Sequence, residues 1–474
     1  MMIGSSLRAL AEATPHKIAI QTETEQITYH TFYKHVTAIQ EQLLQTVGQG
    51  PGKRVALFLG NEPAFLEAFF AAALLGWAAI PIDPKWSQRE REAILAECRP
   101  DAAVSRGPSG LSIKKLKDAA PAEAEENPIF YIGYTSGSTG RPKGFMRHHR
   151  SWLKSFSGGE QAFSISAEDV MYAPGPLCHS LSLFAAVHAL HLGATLHIQT
   201  AFSAEAAAKT LQTEPITVMY AVPTMLYAIA QAYGDKQNPV LRSILCSGAK
   251  WPAEQKELLH AVFPNARRFE FYGASELSFI TYIDEAGSLQ KPDSVGIPFP
   301  EVELFILRAD GTEADTGEVG ELHVKSPLVF SGYVHGTEDV FRGEYATVGD
   351  LGFRDLDGYI TLVGRKKNMI ISGGLNIYPE EVEEVLRRHP DVAEAAVAGV
   401  QDDYWGEKLV AVIQWQGEPD PQALKAYCRQ QLASYKCPRL FLATDRFPLT
   451  SSGKLARTEL PALIAQKLQE ELTL

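Results

Sequence analysis

Tyr134-Thr135-Ser136-Gly137-Ser138-Thr139-Gly140-Arg141-Pro142-Lys143-Gly144, set directly behind the apolar run Ile129-Phe130-Tyr131-Ile132, decides how this chain is read. Eleven residues hold four aliphatic hydroxyls, three glycines and two cations. Glycines tolerate positive φ and leave no Cβ between backbone N–H groups and an anion, so successive amides can converge on phosphate oxygens. The hydroxyls add donors and the cations balance charge. The apolar run reads as a short buried strand that presents the loop at its end. A flexible linker is the competing reading, but linkers are not pinned to a strand or closed by Arg-Pro-Lys-Gly. A Walker A loop is excluded because the stretch holds no Gly-Lys followed by Ser or Thr.

The rest of the composition bounds the answer. A chain of 474 residues implies two or more domains, and 45% hydrophobic with 21% charged residues describes a globular protein. The net charge of −12 argues against a nucleic-acid surface, so anion binding has to be local. Cysteines at 98, 178, 246, 428 and 437 form neither a metal-ligand spacing nor a disulfide framework, and free thiols in a reducing cytoplasm account for them. No basic segment followed by an apolar core opens the sequence, so no signal peptide is expected. The greasiest stretch, Phe65 to Ile82, contains Glu67, Gly76 and Pro81 and reads as a buried helix running into a strand, not a membrane span. A homodimer is left open.

Short β-rich runs alternate with helical ones. Val55–Leu59 precedes a helix over Pro63–Leu75 and a strand over Ala78–Ile82; Ala194–Ile198, a helix near Ala204–Thr213 and Ile216–Tyr220 follow the same rule. That alternation predicts an α/β fold of parallel or mixed sheets with crossover helices. Leu116–Pro128 reads as an exposed connection. From about residue 294 short strands and turns predict a β-rich subdomain, and from Gly364 helices at Pro379–Arg388 and Pro421–Leu432 with strands at Val392–Val397 and Leu409–Ile413 predict a small α+β domain. The boundary is expected at Lys366/Lys367, giving domains 1–366 and 367–474.

Three downstream motifs carry chemistry. Phe271-Tyr272-Gly273-Ala274-Ser275-Glu276 sets an aromatic ring, a hydroxyl and a carboxylate on one turn. The ring can stack on a base, the hydroxyl can meet a phosphate and the carboxylate can hold Mg²⁺. Thr347-Val348-Gly349-Asp350 offers a carboxylate suited to a ribose diol, although in isolation a solvated turn aspartate is the simpler reading. Pro448 to Lys454 puts one lysine at a Gly-containing loop tip, where a point charge can reach into a site.

Taken in order, the phosphate loop, Tyr-Gly-x-Ser-Glu, Gly-Glu-x-Gly-Glu (317–321), Gly-Asp, Gly-Arg (364–365) and Ser-Gly-Lys resemble the AMP-forming adenylating superfamily of acyl-CoA synthetases, luciferases and adenylation domains, across nearly the whole chain. The resemblance implies two steps: a carboxylate displaces pyrophosphate from ATP, then a thiol, usually coenzyme A, displaces AMP. It implies that Thr135, Ser136, Gly137, Ser138, Thr139, Gly140 and Lys143 hold the β,γ-phosphates. Tyr272 would stack on adenine, Ser275 would contact the α-phosphate and Glu276 would help hold Mg²⁺. Asp350 and Arg365 would bind the ribose, and Lys454 would stabilise charge in the first transition state.

The resemblance also implies a mobile C-terminal lid with its hinge at Lys367, and Gly373 and Gly374 beside the pantetheine arm of coenzyme A. For the acid, His179, Val222, Ser247, Gly248 and Gly273 match pocket positions, with Ala249 beside them. His179 would gate the site; a satisfied buried histidine is the alternative. Family members that take α-amino acids keep an aspartate in the motif that here reads Pro176 to Leu183, where no acid is present, so a plain carboxylic acid is expected. Arg147 to Arg150 is read as scaffold. Val348 and Asn368 depart from the common family residues. An acid:CoA ligase is therefore the leading expectation, with a ligase that loads a carrier-protein phosphopantetheine as the alternative.

Overall fold

The computed structural model describes residues 1–108, 110–116, 127–135, 143–336, 340–372, 375–402, 404–449 and 455–472. They form two compact units. The first holds Met1–Thr135, Pro142–Leu304 and Val324–Ala346; the second holds Phe305–His323 and Thr347–Leu474.

Two sheets build the first unit. One runs in the order Gly332–Tyr333, Lys143–His148, Ile129–Thr135, Ala78–Pro81, Arg54–Phe58, Ala102–Gly107 and Gly110–Lys115. Its four middle strands from Ile129–Thr135 to Ala102–Gly107 are parallel. The other passes through Ser294–Pro298, Ser278–Asp284, Arg267–Ala274, Ser243–Cys246, Val218–Ala221, Val170–Ala173, Thr195–Ile198, Ile18–Gln21 and Gln26–Thr28. Neighbours from Arg267–Ala274 to Ile18–Gln21 are again parallel, as expected where helices cross between strands.

The expected helix is Pro63–Leu74, started by a proline whose missing N–H costs nothing at N1. It is apolar all round and buried along its length, as a core helix should be. Its one carboxylate, Glu67, accepts from His35 Nδ1 at 2.7 Å. Among the described residues no helix is long and apolar enough to cross a membrane.

In the second unit, Val392–Asp402 and Gly406–Trp415 pair antiparallel, with Leu440–Ala443 added in parallel and Ile370–Ser372 and Leu375–Ile377 completing the sheet. Strand alternation serves both faces. Ala395, Val397, Leu409, Ala411 and Ile413 pack with Val382, Leu386, Leu424 and Cys428 of helices Pro379–Arg387 and Pro421–Gln431. Ala396, Val410 and Val412 pack on the other side with Leu460 and Ile464 of helix Leu460–Leu472. Packing also groups the hairpin Asp350–Arg354/Ile360–Arg365 with this unit, although it precedes the expected boundary at Lys366/Lys367. One reason is local: Glu380 covers Gly364, where a Cβ would lie 2.7 Å from its Oε2.

Candidate active site

Strands Val218–Ala221, Ser243–Cys246 and Arg267–Ala274 stay in parallel register, with Ala221 opposite Cys246 and Cys246 opposite Glu270. The residues that follow the parallel-paired stretch of each strand therefore emerge along one edge. These are Val222, Ser247 and the Phe271–Glu276 segment. The carboxyl edge of a parallel sheet is where such folds bind ligands, because the strand-to-helix loops there can vary without disturbing the core. Gly248 has φ +98°, and a Cβ on it would stand 3.3 Å from Val222 Cγ1, so these two pocket candidates are neighbours.

Tyr272 is half-buried and pairs with Thr281 across a bulge between Tyr272 and Gly273. The bulge explains Gly273: a Cβ there would lie 2.0 Å from the Ser278 carbonyl oxygen. Its small size is thus required by backbone packing, whereas the sequence reading assigned it to ligand space. Beyond the bulge, Ser275 Oγ is 3.3 Å from Ser180 Oγ, which is 3.5 Å from the buried Tyr131 hydroxyl. Glu276 Oε1 accepts from Tyr333 at 2.9 Å. Its main chain is held too, since its carbonyl accepts from Phe330 N at 2.8 Å and from Arg147 at 3.3 Å. Arg147 is buried, donates to Leu328 O at 2.7 Å and is lowered to about 10 by desolvation. It is a brace under Glu276, in keeping with a scaffold role.

Among the described residues Oε2 of Glu276 accepts no hydrogen bond. A half-buried carboxylate oxygen held at a fixed position is a suitable hard ligand for Mg²⁺.

His179 caps the start of helix Ser180–Leu192. Its side chain is 37% exposed, so it is not the satisfied core histidine of the alternative reading. Burial still lowers its pKa. Its Nε2 is 3.6 Å from Oδ2 of Asp83, which the sequence reading did not single out. An aspartate between Ile82 and Pro84 at the end of a buried strand was the available signal. Cys178 lies beside the pair, and desolvation together with Asp83 pushes its thiol up to about 12. Asn61 pins the loop by donating to Gly175 O at 2.8 Å and Gln199 O at 3.1 Å while accepting from Leu177 N at 2.7 Å.

Of the phosphate-loop candidates, Thr135 and Lys143 are described. They face each other across the hairpin Ile129–Thr135/Lys143–His148, which brings the two ends of the loop together. Lys143 Nζ stands 5.4 Å from the ring centre of Tyr333, the residue that bonds Glu276. Ser136, Gly137, Ser138, Thr139 and Gly140 lie outside the described residues, as do Gly373, Gly374 and Lys454.

In the second unit Asp350 and Arg365 are cross-strand partners, and Arg365 Nε donates to Asp350 Oδ1 at 2.8 Å. Asp350 is buried, against the simpler reading of a solvated turn aspartate. Close by, Glu321 accepts from Lys366 at 2.9 Å and Thr347 at 3.1 Å, with His323 3.9 Å away. His323 and Lys366 hold its carboxyl at about 2. Thr347 Oγ1 also takes the Gly349 N–H at 3.0 Å, shaping the turn before Asp350. Lys367 sits in a one-turn helix, Lys366–Asn368, and is exposed; Asn368 bonds Glu380.

Comparison with known proteins bears on this geometry. Residues 7–334 match the family model described as AMP-binding enzyme, and residues 381–454 match AMP-binding enzyme C-terminal domain. An uncharacterized acyl-CoA ligase of Bacillus subtilis (strain 168) is 42% identical over 99% of this chain and 100% of its own length. A 2-succinylbenzoate–CoA ligase of Geobacillus kaustophilus (strain HTA426) is 31% identical over 98% of both chains. The solved structure of the Bacillus subtilis O-succinylbenzoate coenzyme A synthetase, in complex with ATP and magnesium ion, superposes with a TM-score of 0.86 at 29% identity, covering 96% of this chain and 98% of the other.

Proposed function

The chain belongs to the AMP-binding enzymes, and from that premise we propose that it is an ATP-dependent, AMP-forming acid:CoA ligase acting on a carboxylic acid without an α-amino group. The observation that carries this reading is the shared strand edge, where Val222 and Ser247 leave neighbouring parallel strands and the third strand runs on past Glu270 to Ser275 and Glu276.

In the first half-reaction a carboxylate oxygen of the acid bonds to the α-phosphorus of ATP, and the bond to the bridging oxygen breaks with the electron pair leaving on pyrophosphate. Thr135, Lys143 and the loop between them hold the departing phosphates. Ser275, oriented by Ser180, donates to the α-phosphate, and Tyr272 stacks on the adenine. Asp350, already oriented by Arg365, accepts the ribose hydroxyls. Mg²⁺ held by Glu276 supplies charge neutralisation on the phosphate oxygens when bound. Lys454 meets the charge that builds in the transition state.

In the second half-reaction the thiol of coenzyme A gives up its proton, attacks the acyl carbon and expels AMP. Lys367 is the hinge between the two poses, and Gly373 and Gly374 admit the pantetheine arm. His179, Val222, Ser247 and Gly248 border the acid. A cytoplasmic setting goes with this reading, because all five cysteines are free.

The test is pyrophosphate release against a panel of aliphatic and aromatic acids, followed by coenzyme A. Acid-dependent pyrophosphate followed by acyl-CoA supports the proposal. No pyrophosphate with any acid overturns it, and acyl-adenylate that accumulates after coenzyme A is added overturns the acceptor.

A further inference from the structure

The ligase reading uses His179 but gives no role to the two groups beside it. Ligating atoms of Asp83, Cys178 and His179 all lie within 4.8 Å of one another. A carboxylate oxygen, a thiol sulfur and an imidazole nitrogen form a donor set whose soft member disfavours Mg²⁺ and Ca²⁺ and suits zinc-class ions.

The three groups are held in place. Asp83 is buried, with a side chain 3% exposed, and its Oδ1 accepts from Lys85 N at 2.8 Å, which fixes the carboxylate. Its Oδ2 faces His179 Nε2 at 3.6 Å, longer than a hydrogen bond. Neighbouring donors of a tetrahedral zinc site stand roughly 3.5 Å apart, given metal bonds of about 2.0–2.3 Å. The oxygen–nitrogen gap thus already has that span. Cys178 and His179 sit on the loop that Asn61 ties down at Gly175 and Leu177, so the third donor comes on a braced segment. Lys85 is nearby and exposed, so solvent screens its charge when a cation arrives.

We propose that Asp83, Cys178 and His179 form a binding site for one thiophilic divalent cation of the zinc class, with a fourth position open to water. On binding, the Cys178 proton passes to solvent and the thiolate bonds the metal. One consequence rests on the proposed acid-side role of His179: a bound ion engages its Nε2, so occupancy slows adenylation.

The test uses the full chain stripped with EDTA and titrated with Co²⁺ without oxygen in a non-thiol reductant. One equivalent should produce thiolate-to-cobalt charge transfer and visible d–d bands that Zn²⁺ abolishes. Cys178→Ser should lose the charge-transfer band, Asp83→Asn should weaken binding at least tenfold, and Cys428→Ser, in the second unit, should leave the spectrum unchanged. Absence of the band in the wild-type protein, or its persistence in Cys178→Ser, overturns the site. One equivalent of Zn²⁺ should also slow pyrophosphate release in the wild type and not in Cys178→Ser. Cobalt bands with unaltered pyrophosphate release overturn the inhibitory consequence and speak against the role of His179. Failure of the ligase reading itself is separate, since then metal-free protein releases no pyrophosphate with any acid.

Discussion

Asp350 and Arg365 stand directly opposite each other on adjacent antiparallel strands, and the guanidinium donates from Nε to a carboxylate that is almost wholly enclosed. The half-exposed arginine adds little stability through this contact, because solvent screens it. Its effect is to fix the direction of Asp350.

Asp350→Ala should therefore raise KM for ATP. A hydrogen bond to a charged group contributes about 1.5–3 kcal/mol, which corresponds to a loss of roughly 10- to 150-fold in kcat/KM. Arg365→Ala should show a smaller change in the same direction. Steady-state pyrophosphate assays at varied ATP measure both, and an unchanged KM for ATP in Asp350→Ala would remove the ribose assignment.

Glu276→Gln keeps an acceptor for the Tyr333 hydroxyl and removes the charge. Adenylation should fall by at least about 100-fold, with the Mg²⁺ dependence moved to higher concentration, the magnitude typical of losing a group that stabilises transition-state charge. Tyr333→Phe should cost less than Glu276→Gln, since the carboxylate and its charge remain and only one of the bonds that orient it is lost. A Mg²⁺ titration of both variants separates the outcomes; an unshifted curve for Glu276→Gln counts against metal binding there.

Lys454→Ala should abolish pyrophosphate release while largely sparing thioester formation from supplied acyl-adenylate. Rapid-quench measurement of each half-reaction decides it, and equal loss in both would refute the role given to this lysine.

Glu321 titrates at about 2 in the folded chain against an ordinary 4.5, so its contribution to stability is present above pH 4.5 and is lost as the pH falls toward 2. Glu321→Gln should be less stable than the wild type at neutral pH, and the gap should close between pH 4.5 and 2. Denaturant titrations across that window test the sign. A gap that is constant with pH would mean that Lys366 and His323 do not hold the charge.

The motif-bearing strands and helices were legible because their signals are local. Pro63 opens its helix where a proline can, and the unbroken apolar run Leu409–Ile413 marks a strand with two buried faces. What escaped the sequence depends on which segments meet. Asp83 belongs to one sheet and His179 to a loop of the other, so their contact has no signature in either segment. Gly273 matched a pocket position, and the sequence did not reveal that the bulge also demands a glycine there, because a Cβ would meet the carbonyl of Ser278. Asp350 looked solvated because its turn is polar, whereas its partner strand covers it. Residues 305–323 joined the later unit through pairing of Gly320 and Glu321 with Gly352 and Leu351, which strand propensity alone does not specify.

The register of Val218–Ala221, Ser243–Cys246 and Arg267–Ala274 carries an evolutionary implication. Because Val222 and Ser247 each leave the sheet on a separate loop, one can be exchanged without moving the other. On the proposed assignment of Val222 and Ser247 to the acid, a family built this way can acquire a new acid by independent single replacements along that edge while the nucleotide-handling residues stay fixed. Such an arrangement makes appetite for different acids easy to drift and hard to lose altogether.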